Sequence, residues 1–300
     1  MRSRYGVGGS GEQARRLGLE WFYGGYAPSV TAQPPEGTQA TYLLPVRPVL
    51  GEAQLATLVQ AHPGNVWLIG NEPNVPPEFN VAPTASATPD AYADALAWYA
   101  STIKALDPSA RLAGPNVINW EFTCLGCPGY QPGREWTEQM RSVYLERYGA
   151  EPPFDIWGLH AYDLDWENLP NGNAQRQIDQ ITGMRGWLDA IPSLAGAPIW
   201  LTEVGIHWGY TGFEIREGNV YPTGVFDEAH VEQYMRTLFG WLNENAEALR
   251  VERWFLWYTY FDRPQQALTT WAGITLLDGP GPEANLTRLG QVYLELAGIP

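Results

Sequence analysis

Positive charge is scarce in this 300-residue chain: Lys104 is its single lysine, and 18 Lys and Arg stand against 33 Asp and Glu, a net charge of −15. Such a field repels phosphate backbones and anionic lipid, which argues against nucleic acid or a membrane surface as a partner. Cysteine is scarce as well. Cys124 and Cys127 are too few for a disulfide framework or a cysteine-only zinc site, and read as loop cysteines, either reduced or locally bonded. Long hydrophobic runs are missing: the longest apolar-aromatic stretch, Trp254 to Phe261, falls far short of a membrane span. No apolar segment follows Met1, so a cytoplasmic protein and an exported one that has lost its leader look alike; export is the favoured expectation, and a monomer is expected.

Several motifs are absent too. No Gly-x-Ser-x-Gly, His-Glu-x-x-His or Walker pattern occurs, which removes the usual serine-hydrolase, metalloprotease and NTPase readings. Gly6 to Gly11 fits G-x-G-x-x-G, but no buried strand precedes it and no acidic residue ends the next strand, so it is not read as a dinucleotide site. Asp163, Asp165 and Glu167 lack the glycine and the spacing of a calcium loop and read as a solvated acidic loop. No metal or cofactor is expected.

What is present is aromatic: 14 Trp, 16 Tyr and 9 Phe, with 45% hydrophobic residues overall. These flat apolar faces suit a neutral substrate such as a sugar. Eight short apolar runs predict strands: Tyr5–Gly8, Leu19–Tyr23, Thr41–Val46, Val66–Gly70, Arg111–Gly114, Phe154–Leu159, Pro198–Thr202 and Val251–Tyr258. Amphipathic stretches lie between them. The clearest is Tyr92, Leu96, Tyr99, Ile103 and Leu106, a four-three spacing that marks one helix face, capped by Thr88-Pro89 and stopped by Asp107-Pro108. Continuous apolar strands alternating with helices predict a parallel sheet covered by helices, and eight of them favour a single (β/α)8 barrel domain over residues 1–300. The first two βα units are irregular, since only Glu12–Leu17 can form the first helix and Ala27–Ala40 reads as loop.

In such a barrel the chemistry lies at the C-terminal ends of the strands. The fourth run ends in Asn71-Glu72-Pro73 and the seventh in Thr202-Glu203, near Trp67, Trp200 and Trp208. Two carboxylates flanking a glycosidic bond are what its hydrolysis requires, and apolar surroundings raise the pKa of one toward that of a general acid.

These strand ends resemble glycoside hydrolase clan A, the retaining (β/α)8 glycosidases. The segments at 67–74, 155–162 and 198–203 resemble, within it, the glycosyl hydrolase catalytic-core group related to endo-β-1,3-glucanases. The resemblance implies an endo-acting β-glucanase in which Glu72 is the acid/base, Glu203 the nucleophile and Asn71 a donor to the sugar 2-hydroxyl. It also implies that His160 and Tyr162 hold the nucleophile ionised and aimed, and that Trp257 forms an aromatic floor. Trp120 and Trp208 are candidates for further subsites, and Arg47 and Trp21 for additional substrate contacts. Two other readings compete: a carbohydrate-binding barrel without catalysis, and a metal-dependent hydrolase using His160, His207 and nearby acids.

Overall fold

The computed structural model describes residues 2–27, 32–75, 87–127, 129–217, 219–260 and 274–300. Its eight-stranded parallel barrel is built from β1 (Tyr5–Gly8), β2 (Trp21–Tyr26), β3 (Gln39–Leu44), β4 (Val66–Ile69), β5 (Arg111–Ile118), β6 (Ile156–Tyr162), β7 (Ile199–Gly205) and β10 (Val251–Leu256). The barrel closes where β1 pairs with β10. The remaining two strands, β8 (Tyr210–Arg216) and β9 (Asn219–Phe226), form an antiparallel hairpin after β7 that the apolar periodicity does not announce.

The helices are α1 (Gly11–Arg16), α2 (Glu52–Ala61), α3 (Pro89–Leu106), α4 (Gly133–Tyr148), α5 (Ala174–Asp189), α6 (Glu228–Asn245) and α7 (Arg288–Ala297). As expected, α1 is short, and the described residues between β2 and β3 contain no helix. In α3 the Thr88 hydroxyl accepts from the Ala91 N–H and Pro89 occupies the first turn, while Tyr92, Leu96, Tyr99 and Ile103 are fully buried; Leu106, the last residue of the helix, is exposed. No described helix is long and apolar enough to cross a membrane.

Both faces of the strands are apolar because both are covered. On β4, Val66 and Leu68 join Leu43, Ala113, Ile156, Trp200 and Phe255 inside the barrel, while Trp67 and Ile69 pack outward in the helical layer. Burying these layers supplies roughly 25 cal/mol per Å² of apolar surface and leaves the barrel a packed body, not a pore.

Candidate active site

Glu72 and Glu203 stand at the C-terminal ends of β4 and β7, and their placement rests on two local irregularities. Across β7, Leu201 pairs with Leu159 but Glu203 pairs with His160, so Thr202 is one residue in excess. A strand alternates its faces, and this extra residue re-aims Glu203 toward the barrel axis beside His160. A second shift, between Pro115 and Val117, isolates Asn116 on β5. Asn116 has φ +56°, a left-handed conformation that asparagine tolerates better than most residues.

Asn116 fastens the two catalytic strands to each other. Its Nδ2 donates to the carbonyls of Gly70 (2.9 Å) and Ile69 (3.3 Å), its Oδ1 accepts from Thr202 Oγ1 (3.1 Å), and its carbonyl accepts from the Glu72 N–H (3.0 Å). Gly158 makes room for it, since a Cβ there would collide with Asn116 Oδ1. Glu72 itself has φ +45°, a strained value for a side-chain-bearing residue of a kind that clusters at functional sites.

A carboxylate oxygen of Glu72, one of Glu203 and a ring nitrogen of His160 all lie within 4.8 Å of one another. His160 Nδ1 is 3.0 Å from Glu72 Oε1 and 3.6 Å from Glu203 Oε2, and Tyr162 donates to Glu203 Oε2 at 2.8 Å. Glu203 is 7% exposed and His160 1%. Burial, reinforced by the charge of Glu72, outweighs the opposing pulls of His160 and the Tyr162 hydroxyl and pushes the Glu203 carboxyl up to about 7. Burial also disfavours charge on His160, but the two carboxylates win and raise it above its ordinary value. Among the described residues these are the only three donors close enough to share a divalent cation.

The other residues expected in the site divide sharply. Asn71 is half-buried beside Glu72 in the turn that leaves β4. Trp257, just past β10, is half-buried and lies against Gly8, where a Cβ would strike its ring, with Tyr23 5.4 Å away. Arg47 is exposed in the connection after β3, at the same end of the barrel.

Three tryptophans correct the expectation. Trp120 is fully buried beneath α5, edge-on to Trp187 at 5.3 Å, because the chain turns outward after β5 to begin packing on the helices. Trp208 is also fully buried, its indole N–H donating to the Gly212 carbonyl at the root of the β8–β9 hairpin. Trp21 opens β2 and so lies at the opposite end of the barrel, with the Arg253 guanidinium 3.7 Å over its ring and Trp200 beside it. Trp200 and the outward-facing Trp67 therefore do not line the catalytic pair either; the barrel interior as a whole supplies the desolvation. Replacing Trp120 by Ala is expected to lower stability by about 3–5 kcal/mol, the cost of a large core cavity, with KM unchanged in the folded protein. Chemical denaturation beside steady-state kinetics checks this; a raised KM at unchanged stability would return Trp120 to the cleft.

The acidic loop after β6 is not solvated as expected. Asp163 and Asp165 are buried and both meet Arg176 Nη1, at 2.9 and 2.7 Å, while Asp163 also accepts the N–H groups of Gly172 and Asn173. Cys124 and Cys127 are disulfide-bonded in the neighbouring loop.

Sequence reasoning passed over Tyr23 and Asn116. Tyr23, buried in the middle of β2 with its ring 5.4 Å from that of Trp257, has its hydroxyl pushed well above its ordinary value by burial and then by the charges of Glu203, Tyr26 and Glu72. Its signal was its place at the end of the second apolar run; Asn116 lay beyond the expected end of β5 and had none.

A buried carboxylate and a half-buried one facing each other across the open end of a parallel (β/α)8 barrel, with a histidine in reach of both and a tyrosine on one, define the class of glycoside hydrolases that work through a carboxylate pair. The chain belongs to the glycosyl hydrolase catalytic core family, which it matches over residues 49–293. It is a glycoside hydrolase. No curated protein matches it by sequence. Its fold is similar to that of an endo-β-1,3-glucanase of family GH128, subgroup I, from Amycolatopsis mediterranei, solved with laminaritriose: TM-score 0.60 at 19% identity over 98% of this chain and 99% of that one. It is also similar to a β-glucosidase from Thermotoga maritima (TM-score 0.57, 11% identity, 96% and 85% covered) and a glucosidase from Croceicoccus marinus (0.60, 13%, 99% and 68%).

Proposed function

We propose that the chain is one catalytic domain over residues 1–300, acting as a monomer, and that it is an endo-β-1,3-glucanase working with retention at the anomeric carbon. The observation that carries this is the approach of the Glu72 and Glu203 carboxylates to within 4.8 Å. Retaining enzymes hold theirs about 5–5.5 Å apart, whereas inverting ones need about 6.5–9.5 Å to admit a water. The same closeness argues against a barrel that only binds sugar, which has no need to keep such a pair.

In the first step Glu72 donates its proton to the glycosidic oxygen while Glu203 attacks C1; the C1–O bond breaks and an ester to Glu203 forms. In the second, Glu72 takes a proton from water, whose oxygen attacks C1 and releases the Glu203 carboxylate. Tyr162 engages Oε2 of Glu203, leaving Oε1 as the attacking atom. His160, in reach of both carboxylates, offsets their mutual repulsion as charge passes from one to the other. Trp257 and Asn71 would bind the sugar at the bond cleaved.

The β-1,3-glucan assignment is supported by family membership and by the end-to-end fold likeness to the Amycolatopsis mediterranei enzyme. The test is reducing-sugar release from β-1,3-, β-1,4- and mixed-linked glucans, mannan and xylan, with the fresh reducing end followed by NMR. Internal cleavage of β-1,3-glucan with the β-anomer appearing first is expected. An initial α-anomer would overturn retention, and release from another polymer alone would overturn the substrate.

A further inference from the structure

Trp166 lies in the connection between β6 and α5, three contacts from the nucleophile. Tyr162 holds Glu203, the Tyr162 ring meets His207 edge-on at 4.8 Å, and His207 meets Trp166 at 6.2 Å. Trp166 is half-buried where its neighbour Trp208 is fully buried. Its other ring contacts, Trp208 at 5.9 Å and Phe213 at 5.7 Å, stand at 61° and 83° to it, and His207 at 90°, so no ring among them lies parallel on an indole face. No hydrogen bond to a described residue occupies its indole N–H.

The surroundings of Trp166 hold it still. Its backbone N–H donates to the Leu125 carbonyl and the Leu125 N–H to that of Leu164, both at 2.9 Å, which ties it to the loop closed by Cys124 and Cys127. On its other side Asp165 accepts the N–H groups of Glu167 and Asn168 and is paired with Arg176. The hairpin of β8 and β9 contributes Phe213, and Trp208 at its root fills the space behind. Burial pushes His207 down to about 3, which favours the neutral ring between Trp166 and Tyr162.

We propose that Trp166 is a sugar platform of the cleft, a binding subsite for a glucose residue remote from the bond cleaved, and that the disulfide loop, the Asp165–Arg176 pair and the hairpin exist to present it. The apolar C–H face of a β-glucopyranose matches an indole, and an N–H that meets no acceptor among the described residues can donate to a sugar hydroxyl. A platform already rigid loses little freedom when the sugar arrives. Three contacts separate it from Glu203, so it serves a substrate longer than a disaccharide, as an endo-acting enzyme requires. The inference rests on the β-glucan reading above.

The test uses the intact chain carrying Glu203→Gln, titrated calorimetrically with laminaritriose and laminarihexaose. Adding Trp166→Ala is expected to weaken hexaose binding about tenfold, an aromatic contact's worth, and triose binding less. Trp166→Phe should restore most of the loss, and an unchanged thermal transition in that variant keeps a folding defect apart from a binding one. Equal affinities with and without Trp166 for both sugars would overturn the platform. So would an equal loss for both sugars in Trp166→Ala and Trp166→Phe. Wild-type hydrolysis of β-1,3-glucan, measured in parallel, separates the two failures: intact hydrolysis with no effect of Trp166 sinks the platform alone, and absent hydrolysis sinks the substrate reading beneath it.

Discussion

Replacing Glu203 by Gln is expected to lower kcat on β-1,3-glucan about 10⁴-fold or more while leaving the fold intact. An amide cannot form the ester to C1, and the residual rate then comes from binding and from Glu72 alone. The roles of the two carboxylates separate further with small anions and an aryl β-glucoside bearing a good leaving group. In Glu203→Ala, azide enters the vacated space, attacks C1 from the face the carboxylate used and yields an α-glycosyl azide. In Glu72→Ala the ester to Glu203 still forms, azide then attacks from the opposite face, and the product is a β-glycosyl azide. Product stereochemistry read by NMR assigns each residue; the reverse pattern would exchange the two roles, and full activity in Glu203→Gln would remove the pair from the mechanism.

The same substitution should stabilise the protein in alkali. The folded Glu203 carboxyl is raised to about 7 from 4.5, chiefly by burial and then by the charge of Glu72, with His160 and Tyr162 opposing. A folded pKa above the unfolded one means the native state holds the proton more tightly. That contribution is fully present below about pH 4.5 and is lost as pH rises through about 7. Above pH 7 the wild type carries a buried charge that Gln does not, so Glu203→Gln is expected to be more stable at pH 8 by about 3 kcal/mol, with the difference closing by pH 4. Urea denaturation at pH 4, 6 and 8 measures it. A variant less stable than wild type at pH 8 would show that His160 and Tyr162 outweigh burial.

Stability and catalysis therefore pull against each other at Glu203. The barrel gains by burying a carbon and oxygen surface there, and loses by having to ionise it. Glu72 shows the same conflict in the backbone, where a left-handed turn is held in place by the N–H bond to Asn116. Both conflicts sit at the ends of β4 and β7, and the Asn116 side chain, bonded to Gly70 and Thr202, ties those two ends together.

The extent to which the site was legible follows from the range of the forces involved. Strands and helices follow from local periodicity: Val66–Ile69 and Ile199–Leu201 are apolar on both faces, and Tyr92, Leu96, Tyr99 and Ile103 repeat on one face, whatever lies elsewhere in the chain. Counting eight such strands put Glu72 and Glu203 at matching ends of one barrel before any coordinate was known. The hairpin of β8 and β9 escaped that reading because its strands are half-exposed and lack a continuous apolar face. Asn116 escaped it because nothing local distinguishes a bulge residue from the end of a strand.

Tryptophans were the least legible residues. Trp120, Trp208 and Trp21 carry the same flat ring as Trp257 and Trp166, and sequence position alone cannot say whether that ring meets solvent, a sugar or another ring. Only packing decides. Trp120 is covered by α5 and Trp208 by the hairpin, and Trp21 lies under Arg253 at the far end of the barrel, while Trp257 and Trp166 keep part of their surface at the catalytic end. The order of elements and the identity of the paired carboxylates are properties of the chain, because they depend on residues close in sequence. The approach of those carboxylates to within 4.8 Å and the choice of which aromatic rings remain open come from contacts between segments tens of residues apart, and only the closed barrel sets them.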